Sequence, residues 1–275
     1  MKGIAIGIGA GLTIGAITVS LVGGALVGIG DSDASTFDPS EGDSLIGLGD
    51  SDGSTFGISD PTLIAGLQGY VNAAFTADVT LVSSKIQKVA NHAGAGGTNL
   101  DLTDNGNASQ RPGYTSGVSY DIGGTAGVGL KSAASAVNQP STLVAKASAT
   151  TSASINRYIS DSSQSLNGRI LYTPSLTNHT MGSDAGGAGI VTGNGVYSSG
   201  VPFKVAAVYN NTAGTLWVVG STPVTGTVGT TNGSGWTLGC AQNLTQEWTG
   251  SIYWMALYNV VLTPGQQLAL FNGIA

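Results

Sequence analysis

The stretch "EWTGSIYWMALYNVVLTPGQQLALF", residues 247–271, decides how the fold is read. Its middle, "GSIYWMALYN" at 250–259, is an apolar and aromatic run without proline, the composition of a strand buried on at least one face. The run stops at Asn259. "TPGQQLALFNGI" follows, carrying Leu268 and Phe271, with Thr263 in a capping position and Pro264 at the first helical position. A strand closed by one short helix is therefore predicted at the end of the chain.

Working outward, the same texture runs back to Pro61. "STLVAKASA" (141–149), "GRILYTP" (168–174), "FKVAAVYN" (203–210), "TLWVVG" (215–220) and "WTLGCAQ" (236–242) all read as strands. Turn signals at Asn210-Asn211, Asn232-Gly233 and Gly186-Gly187 separate them. Strands at this spacing, with no long helical stretch between them, predict an all-β sandwich or barrel. The composition agrees: only 9% of residues are charged, far below the usual quarter, and 44 are glycine. A chain of 275 residues with 41% hydrophobic content buries a real core.

The closing stretch resembles the end of the laminin-G-like, concanavalin-A-like jelly rolls. In these a Trp, a Gly, a strand ending in Tyr-Asn and a Leu-Thr helix start follow one another. Trp248, Gly250, Ile252, Leu257, Tyr258, Asn259, Leu262 and Thr263 fill those places, and Trp248, Gly250, Tyr258 and Asn259 carry the motif. "PFKVAAVYNNTAGTLWVVGSTPV" (202–224) is similar to the family's hairpin. Upstream, "GYVNAAFTADVTL", "KIQKVANHAGAGGTNL" and "ASQRPGYTSGVSYDIGGTAGVGL" resemble its opening strand, its Trp-x-Asp-x-x-Gly loop and its Pro-x-Tyr strand. At that loop this chain has Val89, Ala90, Asn91 and Gly94, so the Trp and Asp are absent and the metal role of the loop is not carried over. The resemblance implies a concanavalin-A-like jelly-roll sandwich over residues 61–275, with Trp248 and Tyr258 anchoring the sheet interface.

The first sixty residues differ. Residues 3–30 contain no charge, and nine of these 28 are glycine, which would cost a helix roughly 9 kcal/mol relative to alanine. Ile4, Ile6, Ile8, Leu12 and Ile14 instead share one parity against glycine and other small residues, the strand period. Such a bare-faced strand needs covering by copies of itself or by a larger assembly. Gly-rich apolar openings of this kind also resemble the starts of many bacteriophage virion proteins. A secretion signal and a membrane-active segment, the latter from the likeness of "AIGIGAGLTIGAI" to fusion peptides, are the alternatives. "GIGDSDASTF" at 28–37 then returns nineteen residues later as "GLGDSDGSTF". Paired Asp oxygens can bind Ca²⁺, but such a site takes about six to eight oxygens. Neither copy continues with an EF-hand spacing. Asx turns ending two similar passes of an anchoring stem are the preferred reading. Asp31, Asp33, Asp50 and Asp52 stay metal candidates only for Ca²⁺ recruited where a symmetric oligomer brings the acids together.

Charge is unevenly spread. Residues 1–60 hold eight acids against Lys2, while the remainder holds seven acids against eight bases, so no basic patch for nucleic acid follows. Glu41 and Glu247 are the only glutamates, and no Glu-x-Asp-x-x-Glu strand supplies the two close carboxylates a retaining glycosidase needs. His92 and His179 lack partners at metal-ligand spacing, no Gly-x-Ser-x-Gly elbow is present, and Cys240 reads as a small buried residue. Trp217, Trp236 and Trp254 could stack on sugars, although core packing is the commoner fate of Trp in a strand. The sequence thus predicts a non-enzymatic structural protein at the surface of a bacteriophage virion, without a cofactor. Residues 1–60 would anchor it to other virion proteins as a homo-oligomer, trimer favoured, and its jelly roll would be displayed toward a host-surface glycan. A carbohydrate-binding adhesin module of a secreted or surface protein is the alternative.

Overall fold

The structure is a computed structural model that describes residues 20–22, 25–29, 44–48, 60–93, 100–123, 127–150, 157–162, 169–175, 178–186, 189–241 and 243–274. The alternating run at 3–19, Glu41, Gly94 and the metal candidates Asp31, Asp33, Asp50 and Asp52 lie outside the described residues. The chain divides into two compact units, Met1–Leu63 with Pro264–Ala275, and Ile64–Thr263.

In the first unit, β1 (Ser20–Val22) runs antiparallel to β2 (Ala25–Ile29), which pairs in parallel with β3 (Ser44–Leu48). The parallel register sets Gly28 against Gly47, so strand pairing follows the nineteen-residue repeat of the sequence. Helix α1 (Pro264–Gly273) begins at the predicted proline and buries Gln267, Leu270 and Phe271. No described helix is long and apolar enough to cross a membrane.

The second unit is all-β. Its first half holds β4 (Leu67–Asn72), β5 (Val79–Val82), β6 (Lys85–Val89), β7 (Leu102–Thr103), β8 (Gly113–Thr115), β9 (Ser119–Gly123), β10 (Leu130–Lys131), β11 (Ala136–Val137) and β12 (Ser141–Ala149). Then come β13 (Arg157–Asp161), β14 (Arg169–Ser175), β15 (Thr180–Ala185), β16 (Ile190–Val191), β17 (Phe203–Tyr209) and β18 (Gly214–Val218). The last are β19 (Val224–Gly226), β20 (Gly233–Ser234), β21 (Thr237–Leu238) and β22 (Thr249–Tyr258).

The large sheet runs β19-β18-β17-β12-β22-β9-β8, with β4 also paired to β22, so the unit's first strand lies beside its last. Across the core stand a sheet β21-β10-β7-β6-β5 and a four-stranded sheet β13-β14-β15-β16. Alternation sets what faces inward. Leu143, Ala145 and Ala147 of β12, Val205 and Ala207 of β17, and Met255 and Leu257 of β22 enter one core with Val89, Leu102, Leu130, Leu171 and Met181 from the opposing sheets.

The motif residues build this frame. Trp248 is wholly buried, and its indole N–H donates to Ser148 O at 2.8 Å. Gly250, at φ +142°, passes that same carbonyl so closely that an added Cβ would lie 2.9 Å from Ser148 C and 3.0 Å from Ala149 Cα. The Trp-x-Gly spacing is thus one device: the indole caps the Ser148 carbonyl and the glycine lets the β22 backbone slide over it. Tyr258 is buried opposite Thr142, whose hydroxyl donates to Val260 O at 2.8 Å and accepts from Leu262 N–H at 3.0 Å. The Asn259 N–H donates to Gly66 O at 2.8 Å, tying the end of β22 to the start of β4. At the variant loop Asn91 has a structural task, its Oδ1 accepting from the Tyr70 and Ala93 amides at 2.8 and 3.0 Å. "WTLGCAQ" shortens to Thr237–Leu238, because Gly239 turns at φ +75° with its Cα set against Ile122.

Candidate functional site

The tryptophans do not form a sugar platform. Trp236 is 1% exposed and donates from Nε1 to Leu100 O at 2.9 Å, while Trp254 is fully buried. Trp217 keeps part of its ring exposed, with Nε1 donating to Ser221 O at 3.2 Å. An aromatic pair, Tyr158 buried and Tyr172 partly exposed, lies instead on the four-stranded sheet, where the sequence marks a strand and no site.

Ile159, Leu171, Met181, Ala185 and Ile190 turn into the core, which leaves the opposite parity of β14, β15 and β16 facing away from it. Register then lines up one row across all four strands: Tyr158 opposite Tyr172, Tyr172 opposite Gly182, and Gly182 opposite Val191. The two tyrosine rings meet edge to face, with centroids 5.7 Å apart at 61°. They form with Ala241 a small cluster separate from the main core. A Cβ on Gly182 would lie 2.7 Å from Tyr172 Cζ, so the missing side chain lets the tyrosine ring lie down on the sheet. Val191, 46% exposed, ends the row.

Two carboxylates stand near the rings, Asp161 wholly buried and Asp184 partly exposed. Asp184 and Asp161 sit one row along, on either side of Ile170. Burial, then Asp161, Tyr172 and Asp184, push the Tyr158 hydroxyl up to about 12, and burial followed by Asp184 raises that of Tyr172. Both phenols are therefore neutral donors over the physiological range. Beside them Gln246 O accepts from Tyr158 N–H at 3.0 Å, and Gln246 Oε1 is buried without a partner among the described residues. Leu244 and Gln246 both hold positive φ, +58° and +55°, a conformation costing about 1–3 kcal/mol for each non-glycine residue. The loop is thus held in a set shape against the tyrosines. The partly exposed Tyr172 ring lying over Gly182, with exposed Val191 beyond it, offers a small aromatic and apolar surface that suits the apolar face of a neutral sugar.

The remaining candidates are engaged in structure. Glu247 is 4% exposed, and its Oε1 accepts from the Gly127 amide at 2.5 Å. His92 pairs with Asp78 at 2.9 Å and packs on Phe75, while His179 packs against Tyr197. Cys240 is buried, and burial, then Glu247 and Asp161, raise its thiol out of the reactive range. Among the described residues no three His, Cys, Asp or Glu side chains gather as a metal ion would require.

No protein-family model matches the chain, and no curated protein matches it in sequence. Solved structures do match. Trypanosoma rangeli sialidase in complex with sialic acid superposes with a TM-score of 0.53 at 14% identity, over 76% of this chain and 33% of that one. A mutant of the same sialidase displaying trans-sialidase activity gives 0.52 at 15% identity, again over 76% and 33%. Ruminococcus gnavus IT-sialidase CBM40 gives 0.37 at 15% identity, over 56% of this chain and 97% of that one. The chain spans about a third of the length of the sialidase chains it matches. At these identities the sialidase likeness is one of fold: the chain shares an all-β architecture, and its tyrosine row is argued from its own residues.

Proposed function

We propose that the protein is a non-enzymatic structural component of a bacteriophage-type particle, displayed at the virion surface, whose sandwich adheres to a host-surface glycan. The observation that carries the binding role is the row Tyr158, Tyr172, Gly182, Val191. Its ligand is a neutral saccharide, because the exposed part of the row, the Tyr172 ring and Val191, is aromatic and apolar. Catalysis is not part of the proposal: Glu247, the one described glutamate, is committed to a buried hydrogen bond.

Residues 1–60 anchor the chain to other virion proteins as a homo-oligomer, a trimer by preference. The Gly-rich apolar opening supports this, as does the parallel pairing of β2 with β3, which runs in the nineteen-residue register of the repeat and sets Gly28 and Ile29 against Gly47 and Leu48. Two experiments test the reading. A glycan array probed with the full chain, with and without Ca²⁺, should show neutral oligosaccharide hits in both conditions, and a blank array refutes binding. Mass spectrometry of purified particles should find the chain among the virion proteins. Finding it only as free secreted protein would move the same site to an adhesin.

A further inference from the structure

Asparagine followed by glycine occurs five times in the chain, at 105–106, 167–168, 194–195, 232–233 and 272–273. In this dipeptide the asparagine side chain is most open to its own backbone, because the next residue has no Cβ to screen the amide nitrogen. The pair 167–168 lies outside the described residues, and the other four differ in what holds them. At Asn105 the side-chain oxygen accepts from the Asn107 amide at 3.0 Å, Nδ2 donates to Gln110 Oε1, and the Gly106 amide donates to the Asp104 carboxylate at 3.2 Å. At Asn232 the side-chain oxygen accepts from the Gln139 amide at 2.9 Å, and Gly233 is buried opposite Val137 in β20. Asn272 sits inside α1, whose repeating dihedrals fix its backbone.

Asn194 is held least. It is exposed in the turn after β16, and among the described residues no hydrogen bond holds its side chain. Gly193 and Gly195 flank it, and a Cβ added to either would meet nothing within 4 Å, so the backbone has room to rotate on both sides. One bond restrains the attacking nitrogen: the Gly195 N–H, at φ +73°, donates to Asn178 O at 2.9 Å. This is a single backbone bond of an exposed turn, and such bonds open at little cost.

We infer that Asn194 is a chemical modification site of the native chain, converting to aspartate and isoaspartate through a cyclic imide with Gly195. The Gly195 amide nitrogen, its proton lost to hydroxide, attacks Asn194 Cγ. The N–Cγ bond forms, the Cγ–Nδ2 bond breaks, and the side-chain nitrogen leaves as ammonia. Water then opens the ring at either carbonyl. Opening at Cγ leaves aspartate at position 194, while opening at the backbone carbonyl routes the chain through the side chain as isoaspartate, one methylene longer. Nothing is oxidised or reduced, and water is the only co-reactant. Either product adds one negative charge to a chain of formal net charge -6. The longer turn also draws the Gly195 N–H off Asn178 O and loosens the next bond, from Val196 N–H to His179 O at 3.1 Å. The site does not rest on the proposed glycan role.

The test follows the full chain incubated at 37 °C, native and unfolded in guanidinium, and then digested with trypsin. The peptide 170–204 contains Asn194 and no other Asn-Gly pair. Mass spectrometry reads the amide-to-acid change at each asparagine, and labelling by an isoaspartate methyltransferase reads the longer product. In the native chain Asn194 should convert fastest of the four described pairs, within about tenfold of its rate in the unfolded chain, whereas folding should slow Asn105 and Asn232 at least about tenfold. The Asn194 rate should rise roughly tenfold per pH unit from mildly acidic to mildly alkaline buffer, as the deprotonated fraction of a weak acid does. Isoaspartate should form, which direct hydrolysis of the side chain does not give. Native conversion slower at Asn194 than at Asn105, Asn232 or Asn272 overturns the inference, as does a rate independent of pH or aspartate without isoaspartate. The readout uses the wild-type chain alone, so no variant has to fold.

Discussion

Gly250→Ala should be among the most damaging single-methyl changes available in this chain. The residue holds φ +142°, and the new Cβ would lie 2.9 Å from Ser148 C, against about 3.5–4.0 Å for relaxed carbon contacts, so β22 and β12 must part by roughly 1 Å. Backbone strain contributes about 1–3 kcal/mol. The displaced Ser148 carbonyl loses the Trp248 indole at 2.8 Å, adding about 1–3 kcal/mol for a buried unsatisfied pair. A total of about 2–6 kcal/mol corresponds to a Tm drop of roughly 4–24 °C for a domain of this size. Thermal unfolding followed by tryptophan fluorescence measures it, with Gly193→Ala, where an added Cβ meets nothing within 4 Å, as the control. Because both changes act on one carbonyl, Trp248→Phe and Gly250→Ala should be less than additive. A Gly250→Ala variant melting within about 2 °C of wild type, or indistinguishable from the Gly193→Ala control, refutes the reasoning.

Other outcomes follow from the same structure. The Tyr158 hydroxyl is raised to about 12 from an unfolded value near 10, so the unfolded chain binds fewer protons between these pH values. Stability contributed by neutral Tyr158 is therefore full below pH 10 and falls as pH rises toward about 12, and urea midpoints across that window should show a shallower decline in Tyr158→Phe. Cys240 should resist a thiol-reactive dye in the native chain and label fully in urea; prompt native labelling would contradict its burial. Light scattering of the full chain should give a multiple of the 27.3 kDa chain mass, three by preference, and a monomer at all concentrations contradicts the anchoring role of residues 1–60.

Much of the frame is legible locally. Ser141–Ala149 coincides with the predicted strand, Thr249–Tyr258 starts one residue earlier and ends one residue earlier than read, and α1 starts at Pro264, since apolar runs bounded by Pro, Gly and Asn need no distant information. "WTLGCAQ" misled because its apolar content says nothing of the turn at Gly239. The tyrosine row was not legible for a related reason. Tyr172 lies in a predicted strand and alternates with Leu171, which signals opposite faces, but which strands flank it depends on pairings made far along the chain. The tryptophans drew attention as aromatic platforms, and two of the three are buried.

The most direct test of the account is the affinity of the full chain for the best neutral oligosaccharide from the array, measured beside Tyr172→Ala and Tyr172→Phe. Phenylalanine keeps the flat ring over Gly182, whereas alanine removes it. Loss of an anchoring ring costs about 2 kcal/mol or more, roughly thirtyfold in Kd. The account predicts that loss for Tyr172→Ala with near-native affinity for Tyr172→Phe and intact folding in both. Unchanged affinity in a folded Tyr172→Ala variant would contradict it.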